Sequence, residues 1–195
     1  METIDGKDEI IIGLGPVSGN SSIPAGMFEV LDHDYTHLAW GQVEWPDYNA
    51  LNGETWPAAG DVDGDRKDEI IIGLGQGGGG QFATHVYQGG QPVHWTWSEV
   101  NWTDYNQAVG ETRPACGDID SDKRDEILIG LGKGGNAIMQ VFEDSVQGHT
   151  FLTSLKVGPG GYDLVNGETW PAVVMLNRPL WINPMPWLRI LLLQN

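Results

Sequence analysis

Cysteine, positive charge and long apolar runs are all scarce in this chain. Its single cysteine, Cys116, cannot form an internal disulfide, so cysteine usage carries no information about compartment. Lys and Arg number 10 against 27 Asp and Glu, a formal charge of −17. That balance excludes a phosphate-binding surface for nucleic acid, which needs basic side chains, and an anionic membrane surface. The longest apolar run, Ile190 to Leu193, falls far short of the ~20 residues a helix needs to cross a bilayer. No membrane insertion is expected. The opening METIDGKDE is acidic and has no apolar core of a signal peptide.

Catalytic signatures are missing as well. The 5 histidines form no HExxH, and no GxSxG occurs. His33 and His37 have helical spacing but fall among turn residues. His37 and His94 stand at equivalent repeat positions, six residues before Val43 and Val100, which points to packing or turn chemistry rather than to one active site. Paired carboxylates occur only inside the acidic loops described below. The expectation is a protein without enzymatic activity.

What the chain has instead is glycine, at 28 residues, tryptophan, at 9, and a hydrophobic fraction of 40%, enough for a core. Glycine-rich turns with many aromatics favour short strands and tight connections. These residues are arranged in a repeat. GETWPA begins at Gly53 and Gly167 and GETRPA at Gly110, a spacing of 57 residues each time. KDEIIIGLG begins at Lys7 and Lys67 and RDEILIGLG at Arg124, spacings of 60 and 57 residues. The longer first interval matches the extended loop GPVSGNSSIPAG. DYN recurs at Asp47 and Asp104, and Tyr162-Asp163 fills that place in the third copy.

Each unit reads as four short strands, A to D. In the second copy they span Thr55 to Val62, Glu69 to Gly75, Phe82 to Tyr87 and Trp95 to Trp102. Four antiparallel strands in about 57 residues make a β-propeller blade. GLGxGG after strand B is a B–C connection and not a phosphate loop, since no GK[ST] and no helix follow it. Residues 1–52 supply strands B, C and D, residues 53–109 and 110–166 supply A to D, and residues 167–174 supply a lone A. The expected fold is all-β, with about three blades' worth of strands. Two arrangements stay open. One is a segment of a longer propeller. The other is a homodimer that closes a six-bladed ring head to tail, each chain a half-ring whose lone strand A completes the other's first blade. Residues 175–195, MLNRPLWINPMPWLRILLLQN, do not follow the repeat.

Between strands A and B lie DVDGDRKDE and DIDSDKRDE. Asp61, Asp63 and Asp65 occupy alternate positions, with the Lys67 carbonyl and Glu69 completing the set. Asp118, Asp120, Asp122, the Arg124 carbonyl and Glu126 repeat it. Oxygen ligands at that spacing suit calcium, which takes six to eight at roughly 2.3–2.6 Å. Asp68 faces away from the set, since neighbours on a strand alternate. Gly64 permits the sharp turn, and Ser121 at the same place implies strain. The first copy, with Thr3, Asp5 and Glu9, retains only part of the set. An EF-hand is excluded by Arg66 and Lys123, which stand where that loop requires glycine.

GDVDGDRKDE followed by IIIGLG, and GDIDSDKRDE followed by ILIGLG, resemble the FG-GAP, or integrin α-like, repeats, which overlap with VCBS repeats. The resemblance covers residues 1–174. It implies propeller blades with calcium in the A–B hairpin, on extracellular or cell-surface proteins that act in binding or adhesion toward protein or glycan ligands. Leu in GLG departs from the family's frequent Phe. The layout is also similar to fungal lectins of this propeller type, which bind sugars between blades. On that likeness Trp45, Tyr48, Asn49, Trp102, Tyr105 and Asn106 are candidate ligand residues, because indole faces stack on sugar rings and amides bond hydroxyls. The competing reading has these aromatics wedged between blades as core. A further alternative is a structural segment of a larger cell-surface protein.

Overall fold

The computed structural model describes residues 7–17, 24–145 and 148–174. These form three antiparallel sheets in which strands adjacent in sequence are neighbours in space. The first sheet contains β1 (Ile10–Gly13), β2 (Met27–Leu31) and β3 (His37–Gln42). The second contains β4 (Thr55–Gly60), β5 (Glu69–Leu74), β6 (Gln81–Gln88) and β7 (Gln91–Glu99). The third contains β8 (Thr112–Gly117), β9 (Glu126–Leu131), β10 (Ile138–Ser145) and β11 (Gly148–Lys156). Single helical turns α1 (Pro46–Leu51), α2 (Thr103–Ala108) and α3 (Tyr162–Val165) follow the last strand of each sheet.

The β-branched runs make the central strands. EIIIGL of β5 and EILIGL of β9 are buried at every position. Both faces of these strands are covered, so the run is continuous rather than alternating. One core cluster, with Phe28, Val43, Tyr48, Ile72 and Leu74, includes residues of the first and second sheets. Another, with Ile71, Phe82, Tyr105, Ile129 and Phe142, includes residues of the second and third. Each sheet also carries a register shift at the same place, at Val30/Leu31, Thr84/His85 and Val141/Phe142.

A threonine joins each sheet to the next. Leu74 N–H donates to Thr112 Oγ1 at 2.8 Å, and that hydroxyl donates to the Gln81 carbonyl at 2.8 Å. Thr55 does the same for Leu14 and Met27, and Thr169 for Leu131 and Ile138. The glycine of each IGLG or IIGL segment is required at this crossing. A Cβ on Gly73 would lie 2.2 Å from the Thr112 carbonyl oxygen and 2.5 Å from Pro114 Cδ. The repeated glycine therefore makes room for the neighbouring sheet's strand.

Several expectations change. The fourth strand of the second unit runs Gln91–Glu99 and not Trp95 to Trp102, because Trp102 caps helix α2. The DYN segments form helical turns, with Pro46 in the first turn of α1. His37 opens β3 and does not lie in the preceding turn. Residues 167–174 hold no strand assignment. Thr169 still makes its threonine contacts, but the segment has no ladder partner among the described residues. The first loop at Thr3 and Asp5, part of the GPVSGNSSIPAG loop, and residues 175–195 lie outside the described residues.

Candidate metal centre

The two acidic loops sit between β4 and β5 and between β8 and β9. Each is folded by its own carboxylates. Asp61 accepts from the N–H of Gly64 at 2.8 Å and of Arg66 at 3.0 Å. Asp63 accepts from Asp65 N–H and Asp65 from Lys67 N–H, both at 2.9 Å. In the second loop Asp118 accepts from Ser121 N–H at 2.6 Å and Lys123 N–H at 3.2 Å. Asp120 and Asp122 accept from the N–H groups two residues on. Glu69 and Glu126 reach back from the first position of the following strand to the N–H of Val62 and Ile119. Both oxygens of Asp61 and both of Asp118 are thereby engaged by their own loop's backbone.

Ligand atoms of Asp61, Asp63 and Glu69 lie within 4.8 Å of one another, and so do those of Asp118, Asp120 and Asp122. Either group could hold a metal ion. Full negative charges at that separation repel by about 1 kcal/mol per pair in water, and by more where solvent is excluded. Burial, reinforced by the charges of Asp63 and Asp65, pushes the Glu69 carboxyl up to about 7. Burial also raises Glu126, with Asp120 and Asp122 adding to it. A cation would relieve this crowding, and an all-oxygen donor set suits a hard ion.

The two groups are not identical. In the first, Asp65 pairs with Lys67 Nζ at 3.3 Å and stands outside the converging three. In the second, Asp122 belongs to the three and Glu126 does not. The side chain of Arg124 returns over its own loop to Asp122 at 3.6 Å. Ser121 adopts φ of 71°, as its place opposite Gly64 implies, and this left-handed turn costs roughly 1–2 kcal/mol. Arg66 and Lys123 are also left-handed, with φ of 73° and 82°. No sequence signal marked these two, since neither is glycine or asparagine.

The loops are also tied to each other, which sequence spacing did not reveal. Asp125 N–H donates to the Asp61 carbonyl at 2.8 Å, and the Asp125 carboxylate accepts from Asp61 N–H at 3.2 Å. Asp125 thus leaves its own loop and clasps the first residue of the other. Burial raises both Asp125 and its counterpart Asp68, with neighbouring carboxylates contributing.

The aromatic segments occupy a different place. Tyr48 and Tyr105 are buried, and their hydroxyls donate to the Glu54 and Glu111 carbonyls at 2.6 Å. The same hydroxyls accept from Gly75 N–H at 2.6 Å and Gly132 N–H at 2.7 Å. Asn49 and Asn106 donate to the Val43 and Val100 carbonyls. Trp45 packs on Tyr48 and edge-on against Trp97, and Trp102 stacks on Tyr105. Trp102 also borders a groove of about 470 Å³ between the second and third sheets, with Glu99, Asn101, His149, Thr150 and Phe151.

A further cluster was not legible from single motifs. Arg113, where the other copies have Trp56 and Trp170, is buried. Its guanidinium lies 4.0 Å from the Trp170 ring centre and 5.7 Å from that of Trp56. It pairs with Glu111 at 2.6 Å and approaches Glu168 at 3.7 Å. The one R in three GET-x-PA segments was its signal.

Among the described residues no helix is long and apolar enough to cross a membrane. No protein-family model matches the chain, and no curated protein matches it.

Proposed function

We propose that the protein is a calcium-binding β-propeller of the FG-GAP, integrin α-like kind, acting in binding or adhesion at the cell surface or outside the cell, without enzymatic activity. The observation that carries this reading is the pair of self-folded carboxylate loops at equivalent places in successive four-stranded sheets. Threonine contacts that join sheet to sheet in a fixed manner support treating the sheets as blades. Calcium fits better than zinc because the converging side-chain donors are all carboxylate oxygens, with neither histidine nor thiolate among them.

The ion's role is structural: it neutralises loops that hold strands A and B of one blade and, through Asp125, the loop of its neighbour. The test is calcium titration of EDTA-stripped protein by calorimetry and thermal melting. Two bound calcium ions and a rise in melting temperature are expected, with magnesium far weaker. At a hundredfold excess over the dissociation constant the stabilisation should reach about 2.7 kcal/mol per site. No heat and no change in melting would refute it.

A glycan partner is the second reading, and the groove beside Trp102 is the observation that supports it. Its lining includes Trp102, Glu99, Asn101 and Thr150, side chains of the kinds that stack on and hydrogen-bond to sugars. A glycan array decides this, and Trp102→Ala with an unchanged melting temperature should abolish any binding found.

A further inference from the structure

A pair of histidines stands in the second sheet where it meets the first. His85 of β6 and His94 of β7 face each other in register, immediately after the register shift at Thr84/His85. Such a shift re-aims the side chains beside it. The two ring centres lie 5.4 Å apart, with the planes at 73°. Phe28 of the first sheet packs edge-on to His85 at 5.2 Å, and the Trp97 ring lies 5.2 Å from that of His94. His85 is 2% exposed and His94 is half-buried.

The third sheet has Phe142 opposite Phe151 at this register. Phe142 meets Phe82 of the second sheet at 5.1 Å and 69°, nearly the geometry of His85 on Phe28, at 5.2 Å and 65°. Hydrocarbon rings thus fill this place in the fold, and packing does not call for imidazole nitrogens. Both nitrogens of His85 and Nδ1 of His94 are buried without a hydrogen-bond partner among the described residues. The Ile70 and Gln42 carbonyls are close enough to favour a proton on His85, yet neither makes a hydrogen bond with it. A buried polar atom left unpaired costs about 1–3 kcal/mol. Such atoms persist where something else uses them, a bound ion among the possibilities.

The pair is suited to a metal. Burial pushes His85 down to about 4, so its ring is in the neutral, ligating form at neutral pH. A nitrogen about 2.0–2.1 Å from an ion puts its ring centre roughly 3.2 Å away, so ring centres up to roughly 6.4 Å apart can share one ion. The observed 5.4 Å lies inside that reach. We propose that His85 and His94 form a two-nitrogen site for a copper(I) ion. Imidazole suits copper and zinc, whereas calcium takes oxygen. Among the described residues, His, Cys, Asp and Glu ligand atoms converge in threes only in the acidic loops. The protein therefore offers two neutral donors here. Copper(I) is satisfied by two such donors, while zinc takes four. A single charge is also less costly than a double one to bring between aromatic rings. This site shares no residue with the carboxylate loops and does not depend on calcium.

The test is anaerobic copper(I) titration of the full chain, Cys116→Ser to remove its one thiol, in ascorbate against bicinchoninate, which is coloured when it holds copper(I). One copper(I) per chain should leave the dye, and the melting temperature should rise. His85→Phe together with His94→Phe recreates the phenylalanine pair of the third sheet. This variant should fold, keep whatever response to calcium the unaltered chain shows, and leave all copper(I) on the dye. X-ray absorption of the loaded protein should show nitrogen neighbours alone. Copper(I) left on the dye by the histidine-bearing chain, or withdrawn equally by the double variant, would overturn the site. Sulfur neighbours would overturn it without recourse to any histidine variant. Zinc held in place of copper(I), and lost in the double variant, would overturn the two-donor copper assignment.

Discussion

Thr112 holds Leu74 across the seam between the second and third sheets: the Leu74 N–H donates to the Thr112 hydroxyl at 2.8 Å. Both residues are fully buried, and the hydroxyl in turn donates a hydrogen bond to the Gln81 carbonyl. One small polar side chain thus satisfies a donor at the end of β5 and an acceptor at the start of β6. Thr112→Val keeps the shape and removes both bonds. It should lower stability by about 2–4 kcal/mol, since two buried backbone groups lose their partner. Urea unfolding with an unchanged m-value measures it, and Thr112→Ser should recover most of the loss.

Tyr105 makes a second seam contact, between the Glu111 carbonyl and Gly132 N–H. Tyr105→Phe should cost about 1–3 kcal/mol by leaving the Gly132 N–H without its acceptor. Because the ring is buried, glycan binding of any kind should change only as far as folding does. A loss of ligand affinity at unchanged stability would return Tyr105 to the ligand residues.

Arg113 is charged, buried and flanked by two indoles. Arg113→Met should destabilise by about 3–5 kcal/mol, because Glu111 keeps its charge without a partner. Adding Glu111→Gln should restore much of the loss. A double variant no better than the single would show that packing against Trp170, and not charge, is what Arg113 contributes.

His85 and His149 should make the fold acid-sensitive. Burial pushes both down to about 4, His94 adding to the effect at His85. Their folded values lie below the ordinary 6.5, so the unfolded chain binds more protons between the two. Stability is therefore full above about pH 6.5 and falls as pH drops towards 4, by roughly 3 kcal/mol per histidine at most. His85 faces His94 in register, and Phe142 faces Phe151 at the same place in the third sheet. His85→Phe should thus be tolerated and should flatten the fall in melting temperature between pH 6.5 and 4. An unchanged pH profile would remove His85 from the account.

Asp125 couples the loops, so calcium at one should be felt at the other. Asp125→Ala should leave the side chains that converge on each site intact yet reduce the melting increment calcium gives. Equal increments in both proteins would show the loops to be independent.

The sequence by itself determined the strand-rich repeat and the acidic loops, because both are written in local code. A run such as EIIIGLG is β-branched and bounded by turn residues. Alternating Asp residues bind their own backbone N–H groups, so Asp61 folds its loop within five residues. The helical turn after the second sheet was missed because Trp102 read as the end of a strand, whereas it caps α2 with Tyr105 buried in the core. Only the tertiary structure decided what stands between sheets. The Thr112–Leu74 bond spans 38 residues, and the Asp61–Asp125 clasp spans 64. Contacts of that separation depend on how one sheet lies on the next, and no local pattern records it. The exposed edge of β1 has the same origin. Its isoleucines are those of β5 and β9, but Ile70 and Ile72 pack against residues of the first sheet and Ile127 and Ile129 against residues of the second, whereas Ile10 and Ile12 are exposed.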